Sequence, residues 1–169
     1  MTTRADFTDE EWERLGRAPL IAGLAISLAD PGGPIEAIKE STAALQVLRE
    51  AGAKGEFGPF VQAVARDAAE RAARRENPLS GFRPSRDRAR DDVLDELRAV
   101  NRLLTAKLAP EDAADFRDYL KEAAQRAAKA AREGGFLGIG GTRVSEREQE
   151  MLDDLGEIFG APRGAPKGD

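Results

Sequence analysis

Apolar side chains recur at three- and four-residue intervals through almost all of this 169-residue chain, and no run alternates β-branched and aromatic residues with polar ones over a strand's length. That regularity predicts an all-α protein. A chain of this length can bury roughly 70% of its unfolded surface around one core, so the expected architecture is a single-domain bundle over residues 1–160. The tail APRGAPKGD, 161–169, carries no apolar anchor and is expected to be disordered.

Caps and prolines divide the bundle into six or seven helices. Thr8 and Glu11 have the spacing of a capping box, with Phe7 and Trp12 placed as its hydrophobic staple. Pro19, Pro34, Pro59 and Pro110 each precede a helical pattern, a position where proline's missing N–H costs nothing. Residues 19–29 are apolar nearly all round through Leu20, Ile21, Leu24, Ile26 and Leu28, which makes this segment the expected buried centre. A turn at Asp30-Pro31-Gly32-Gly33 precedes a helix over 34–51 with Ile35, Ile38, Thr42, Leu45 and Leu48 on one face. In 59–76 the stripe Phe60, Val64, Ala68, Ala72 shrinks along its length, predicting weak packing at its far end. Residues 77–85, rich in proline, glycine and serine, read as the clearest loop and a candidate mobile segment.

Beyond that loop, 86–108 and 110–133 predict two helices of about 35 Å each, at 1.5 Å per residue, joined tightly at Ala109-Pro110. A long central antiparallel hairpin is the expected arrangement. Val93, Leu97, Val100, Leu104 and Leu108 then face Phe116, Leu120, Ala123, Ala127 and Ala130. The last helix, capped by Ser145 and Glu148, is expected to bury Leu152, Leu155, Ile158 and Phe159.

The chain has neither cysteine nor histidine. Serine–histidine and cysteine–histidine triads, zinc sites built on those ligands and iron–sulfur clusters are thereby removed, and a non-enzymatic role is expected. Without histidine no side chain ordinarily titrates between about pH 5 and 8, which predicts indifference to pH in that range. The first 14 residues lack the pattern of a signal peptide, and the longest apolar run, 19–29, is short of the roughly 20 residues that span a bilayer. A cytoplasmic protein is expected. The formal charge of −5 argues against general affinity for nucleic acid.

Four segments are candidates for function. Asp30, Glu36 and Glu40 surround the first glycine turn with the oxygen donors that Ca²⁺ or Mg²⁺ takes; their structural alternative is a helix start complemented by acids. Asp91, Asp92, Asp95 and Glu96 with Glu111, Asp115, Asp118 and Glu122 raise the same question for the hairpin, without the histidines such centres use. The apolar glycine loop GGFLGIGG, 134–141, either tucks Phe136, Leu137 and Ile139 over one end of the bundle or presents them to a partner or a membrane surface. Between residues 66 and 90 eight arginines stand against four acids, and Arg71, Arg74, Arg75 and Arg83 form a candidate basic patch. Residues 145–160 hold six acids and one arginine, which predicts contact between the two stretches within one chain or head to tail. The alternative for the arginines is complementing a helix C-terminus and pairing one turn away.

Two stretches, APLIAGLAISLADPGGPIEAIKE (18–40) and REGGFLGIGGTRVSEREQEMLDDLGEIFG (132–160), each run helix, glycine turn, acidic helix start. Together they resemble the TerB-like, tellurite-resistance-associated helical domains, and a broader group of small bacterial helical proteins. The resemblance implies a helical bundle with an acidic metal-binding site, Asp30 matching the family's aspartate and Glu36 and Glu40 its following acids, in a stress-response setting. Pro31 separates Asp30 from Gly32, and Gly140-Gly141 stands where the second unit would carry an aspartate. The resulting expectation is a non-enzymatic helical interaction module with a protein partner or self-association. Its alternative is a carboxylate-based divalent-cation protein.

Overall fold

The computed structural model describes residues 2–29, 56–133 and 146–160, with side chains up to Lys129 in the middle stretch. Among them stand a 3₁₀ turn, Arg4–Asp6, and five α-helices: α1 (Asp9–Ala29), α2 (Pro59–Ala73), α3 (Ala89–Lys107), α4 (Pro110–Glu133) and α5 (Glu146–Phe159). No strand occurs among the described residues. The all-helical reading holds. The expected helix over 34–51, the glycine loop 134–141 and the tail lie outside the described residues.

α1 starts as its sequence predicts. The Thr8 N–H donates to the Glu11 carboxylate at 2.8 Å, the Glu11 N–H donates back to Thr8 Oγ1 at 3.2 Å, and the Phe7 and Trp12 rings meet at 5.7 Å. A second, smaller lock precedes it, where the Thr3 N–H donates to Asp6 at 2.7 Å. Arg4 then pairs with Asp9 and lies over the Trp12 ring.

Pro19 does not open a new helix. It sits buried inside a continuous α1 of 21 residues. An interior proline forfeits a backbone hydrogen bond and costs about 3 kcal/mol. Here Leu15, Ala18, Ile21, Ala22, Ala25 and Ile26 are almost wholly buried on both sides of it, and tertiary packing of one long rod outweighs the local penalty.

α1 touches all four other helices, most extensively α4 and then α3. It therefore occupies the middle among the described elements, as its apolar 19–29 half requires. Helices α3 and α4 have the predicted buried stripes: Val93, Leu97, Val100 and Leu104 on one, Phe116, Leu120, Ala123 and Ala127 on the other. Both, however, pack more against α1 than against each other. Near their joint Arg117 donates to Asn101 Oδ1 at 2.7 Å and to Thr105 Oγ1 at 2.8 Å.

α2 leans on this core through its first half. Gly58 donates its N–H to Asp115 at 2.7 Å, pinning the helix start to α4, while Phe60, Val61, Val64 and Ala65 are buried. Ala68 and Ala72 are only half-buried, so the shrinking stripe packs weakly where expected. α5 buries Met151, Leu155 and Phe159 together with Glu148, while Leu152 and Ile158 stay half-buried. Its face is rotated from the predicted one, toward the i, i+4, i+8 set of Met151, Leu155 and Phe159.

Candidate functional site

The shrinking stripe of α2 has a consequence for α1. Gly16 and Ala68 oppose each other, with room for little more than a methyl group between them: a Cβ on Gly16 would lie 3.6 Å from Ala68 Cβ. Beside these small residues a cleft of about 310 Å³ opens, with Trp12, Leu20 and Pro78 as apolar wall and Glu13, Asp67, Arg71, Glu76, Asn77 and Ser80 as polar lining. Its volume falls at the lower end of small-molecule sites, roughly 300–1,000 Å³.

One wall is the connection between α2 and α3. α2 ends in a Schellman motif: Arg75 N–H donates to Ala72 O at 3.0 Å and Glu76 N–H to Arg71 O at 3.1 Å. The residue at the left-handed position is Arg75, φ 60°, where glycine is usual. The loop beyond is tied down rather than free. Asn77 Oδ1 accepts from the Leu79 N–H at 3.0 Å, Ser85 donates from N and Oγ to Asp92, and Leu79 and Phe82 pack against the core.

The principal tie is Arg17. This arginine is 3% exposed, donates from Nη1 to the Ser80 carbonyl at 2.8 Å, and reaches Glu96 from Nε at 3.1 Å and Nη2 at 2.8 Å. Arg14 Nε donates to the same Glu96 oxygen at 3.0 Å. Gly81, φ +79°, lies so close that a Cβ there would meet Arg17 Nη1 at 2.9 Å.

At the mouth of the cleft Arg71 donates to Glu13 at 2.9 Å and pairs with Asp67, one turn back on α2, at 2.9 Å. The Glu13 hydrogen bond, reinforced by the nearby charges of Asp67, Glu13 and Glu76, holds the Arg71 guanidinium above its ordinary pKa. Arg74 pairs with Glu76 at 2.9 Å. Of the candidate basic patch, Arg71 and Arg74 are thus engaged with acids, while Arg75 and Arg83 are exposed. The arginines of α2 serve the helix end and its neighbours more than a phosphate.

Apart from Glu111, which is exposed, the second acidic group is dispersed into separate partnerships. Asp91 pairs with Arg88, Asp92 holds Ser85, Asp95 pairs with Arg98, Glu96 serves Arg14 and Arg17, Asp115 takes the Gly58 N–H, Asp118 pairs with Lys121, and Glu122 with Arg126. Among the described residues no three such groups converge in a way that could hold a metal ion. Asp30, Glu36 and Glu40, and likewise Phe136, Leu137 and Ile139, lie outside the described residues. The basic stretch meets the acidic last helix where Arg90 Nη2 donates to Asp154 at 2.8 Å.

Sequence reasoning missed the Arg17–Glu96 pair. A signal existed: Arg17 stands among the apolar residues Leu15, Ala18, Leu20 and Ile21, where a charge needs a partner if it faces inward. Nothing local marked Glu96 as that partner, 79 residues away.

Fold and site together define a helical bundle with a small amphipathic, acid-rimmed cleft. No known protein family, no curated protein and no solved structure matches the chain. No helix of the described residues is long and apolar enough to cross a membrane.

Proposed function

We propose that the chain is a non-enzymatic helical interaction module whose binding face is the cleft between α1 and α2. The observation that carries this reading is the state of the charged groups around it. Arg71, Glu13, Asp67, Arg74, Glu76, Arg17 and Glu96 are engaged in mutual ion pairs, an arrangement suited to recognition.

Affinity capture with the wild-type chain, with Asp67→Lys and with the distant Arg98→Ala tests this. Proteins held by the wild type and by Arg98→Ala but released by Asp67→Lys support the cleft as the binding face; a capture set indifferent to Asp67→Lys removes it. A stress-response setting is what the TerB-like resemblance implies. The alternative, a divalent cation held by Asp30, Glu36 and Glu40, predicts heat on calorimetric titration with Ca²⁺ or Mg²⁺ and a rise in melting temperature by mass action.

A further inference from the structure

We propose that residues 77–84 form a lid on the α1/α2 cleft, a preassembled unit that opens without unfolding the bundle and is latched by Arg17. The inference rests on the cleft being the binding face and adds how access to that face is controlled.

Asn77, Pro78 and Ser80 line the cleft together with the buried Trp12 and Leu20 of α1. The segment's own hydrogen bonds are internal. The Ser80 N–H donates to Asn77 O and the Phe82 N–H to Leu79 O, each at 3.0 Å, and the Leu79 N–H donates to Asn77 Oδ1 at 3.0 Å. The first two bonds close overlapping turns, and Gly81, φ +79°, stands at the third position of the second, where a type II turn takes a positive φ. Pro78 and Pro84 have no N–H to give elsewhere. A unit stitched in this way keeps its shape when it moves.

Its ends are fixed by the close of α2, where the Glu76 N–H donates to Arg71 O, and by Ser85 on Asp92. Between them, among the described residues, the one hydrogen bond entering 77–84 from outside is Arg17 Nη1 to the Ser80 carbonyl, at 2.8 Å. The half-buried Leu79 and Phe82 supply the apolar remainder of the attachment. Releasing the latch strands no buried charge. Ser80 and Gly81 lie against Nη1, so lifting them admits water to it, while Glu96 keeps Nε and Nη2. Opening therefore gives up one charge-assisted hydrogen bond and two half-buried side chains, far less than global unfolding gives up, which is the condition for a local cooperative opening. A partner that enters only the open form binds with its intrinsic affinity scaled by the open fraction.

The chain has no cysteine, so one introduced thiol reports access to one place. The experiment follows the reaction of an aromatic disulfide reagent with the full chain carrying Leu20→Cys, on the cleft wall, or Met151→Cys, buried on α5 and outside the cleft lining, over a range of urea concentrations. The Leu20→Cys thiol should react faster than the Met151→Cys thiol and with little dependence on urea, because lifting the lid exposes little surface. Adding Arg17→Lys, which keeps a positive charge beside Glu96 but gives up the guanidinium fork, should speed Leu20→Cys by about ten- to hundredfold, the weight of one hydrogen bond to a charged group. Gly81→Ala, which forces the lid away from Nη1 and leaves Arg17 on Glu96, should act in the same direction. Neither change should speed Met151→Cys beyond what the loss of global stability accounts for.

Equal rates at the two thiols, or equal acceleration of both, mean that the cleft wall is reached only by unfolding and overturn the lid. A Leu20→Cys rate equal to that of a free thiol overturns it as well, because the wall then stands uncovered. Labelling needs no partner, so the two readings separate. Selective labelling of Leu20→Cys with capture indifferent to Asp67→Lys keeps the lid and removes the binding face; capture lost with Asp67→Lys and equal thiol rates keeps the binding face and removes the lid.

Discussion

Arg17 on α1 and Glu96 on α3 meet at 2.8 Å with side chains 3% and 11% exposed. The pair also holds the α2–α3 connection, because Arg17 Nη1 donates to the Ser80 carbonyl. A buried pair of this kind need not stabilise the fold relative to apolar residues, but removing one partner leaves an uncompensated charge. Glu96→Ala should therefore cost about 3–5 kcal/mol. At roughly 2–4 °C per kcal/mol for a chain of this size, the melting temperature should fall by roughly 6–20 °C. The double variant Arg17→Met, Glu96→Leu should recover most of that loss, and thermal unfolding of the three proteins reads it. A single-variant cost under about 1 kcal/mol would mean that solvent reaches the pair.

The acid limb of stability is set by carboxylates at helix starts. Glu11 is held below the usual carboxylate range first by the Lys107 ammonium, which donates to it at 2.6 Å, and then by the Thr8 N–H. Backbone N–H donors from Thr3 and Ser85 do the same for Asp6 and Asp92. For a lowered carboxylate the unfolded chain takes up protons first, so the stabilisation is complete above its unfolded pKa, about 4, and is lost as pH falls through the folded value. Urea midpoints of wild type and Glu11→Gln should differ at pH 7 and converge toward pH 3. A gap that stays constant over that span would show that Glu11 acts through packing alone.

The end of α2 carries two opposite backbone demands within seven residues. Arg75 occupies a left-handed conformation, φ 60°, which costs an L-residue about 1–2 kcal/mol. Arg75→Gly removes that cost against a larger unfolded-state entropy and should gain about 0.5–1 kcal/mol. Gly81 sits at φ +79° with Arg17 Nη1 where its Cβ would be, so Gly81→Ala should lose stability and loosen the loop. Denaturant titration gives both signs, and hydrogen exchange of the 77–85 amides reads the loop. A gain from Gly81→Ala would contradict the close approach of Arg17.

What the sequence made legible was periodic. The buried stripes of α3 and α4, the Thr8–Glu11 lock and the start of α4 at Pro110 follow from local spacing, and the structure has them. What it concealed was decided by burial. Pro19 reads as a start because proline is cheap there, yet the core on both of its sides keeps α1 continuous. The central place of α1 between α3 and α4 cannot be read from the short joint at Ala109, which specifies only that the two helices are successive. The cleft is a mixed case: the weak far end of α2 was visible in Ala68 and Ala72, but its opposition to Gly16 is a tertiary fact.

Tyr119 offers the sharpest check of the core. It is fully buried, its ring makes edge contacts with Phe57 at 5.3 Å and Phe116 at 5.7 Å, and its hydroxyl has no hydrogen-bond partner among the described residues. Burial alone pushes the phenol pKa upward, with no charge or donor opposing it. A hydroxyl left unpaired in an apolar site costs about 1–3 kcal/mol, while the aromatic contacts survive its removal. Tyr119→Phe should thus leave stability unchanged or raise it by about 1 kcal/mol, reversing the usual sign for a core substitution. Urea unfolding with an unchanged m-value would locate the effect in the folded state. A loss of more than about 1 kcal/mol would mean that the hydroxyl is bonded in solution, and that this part of the core is polar by construction.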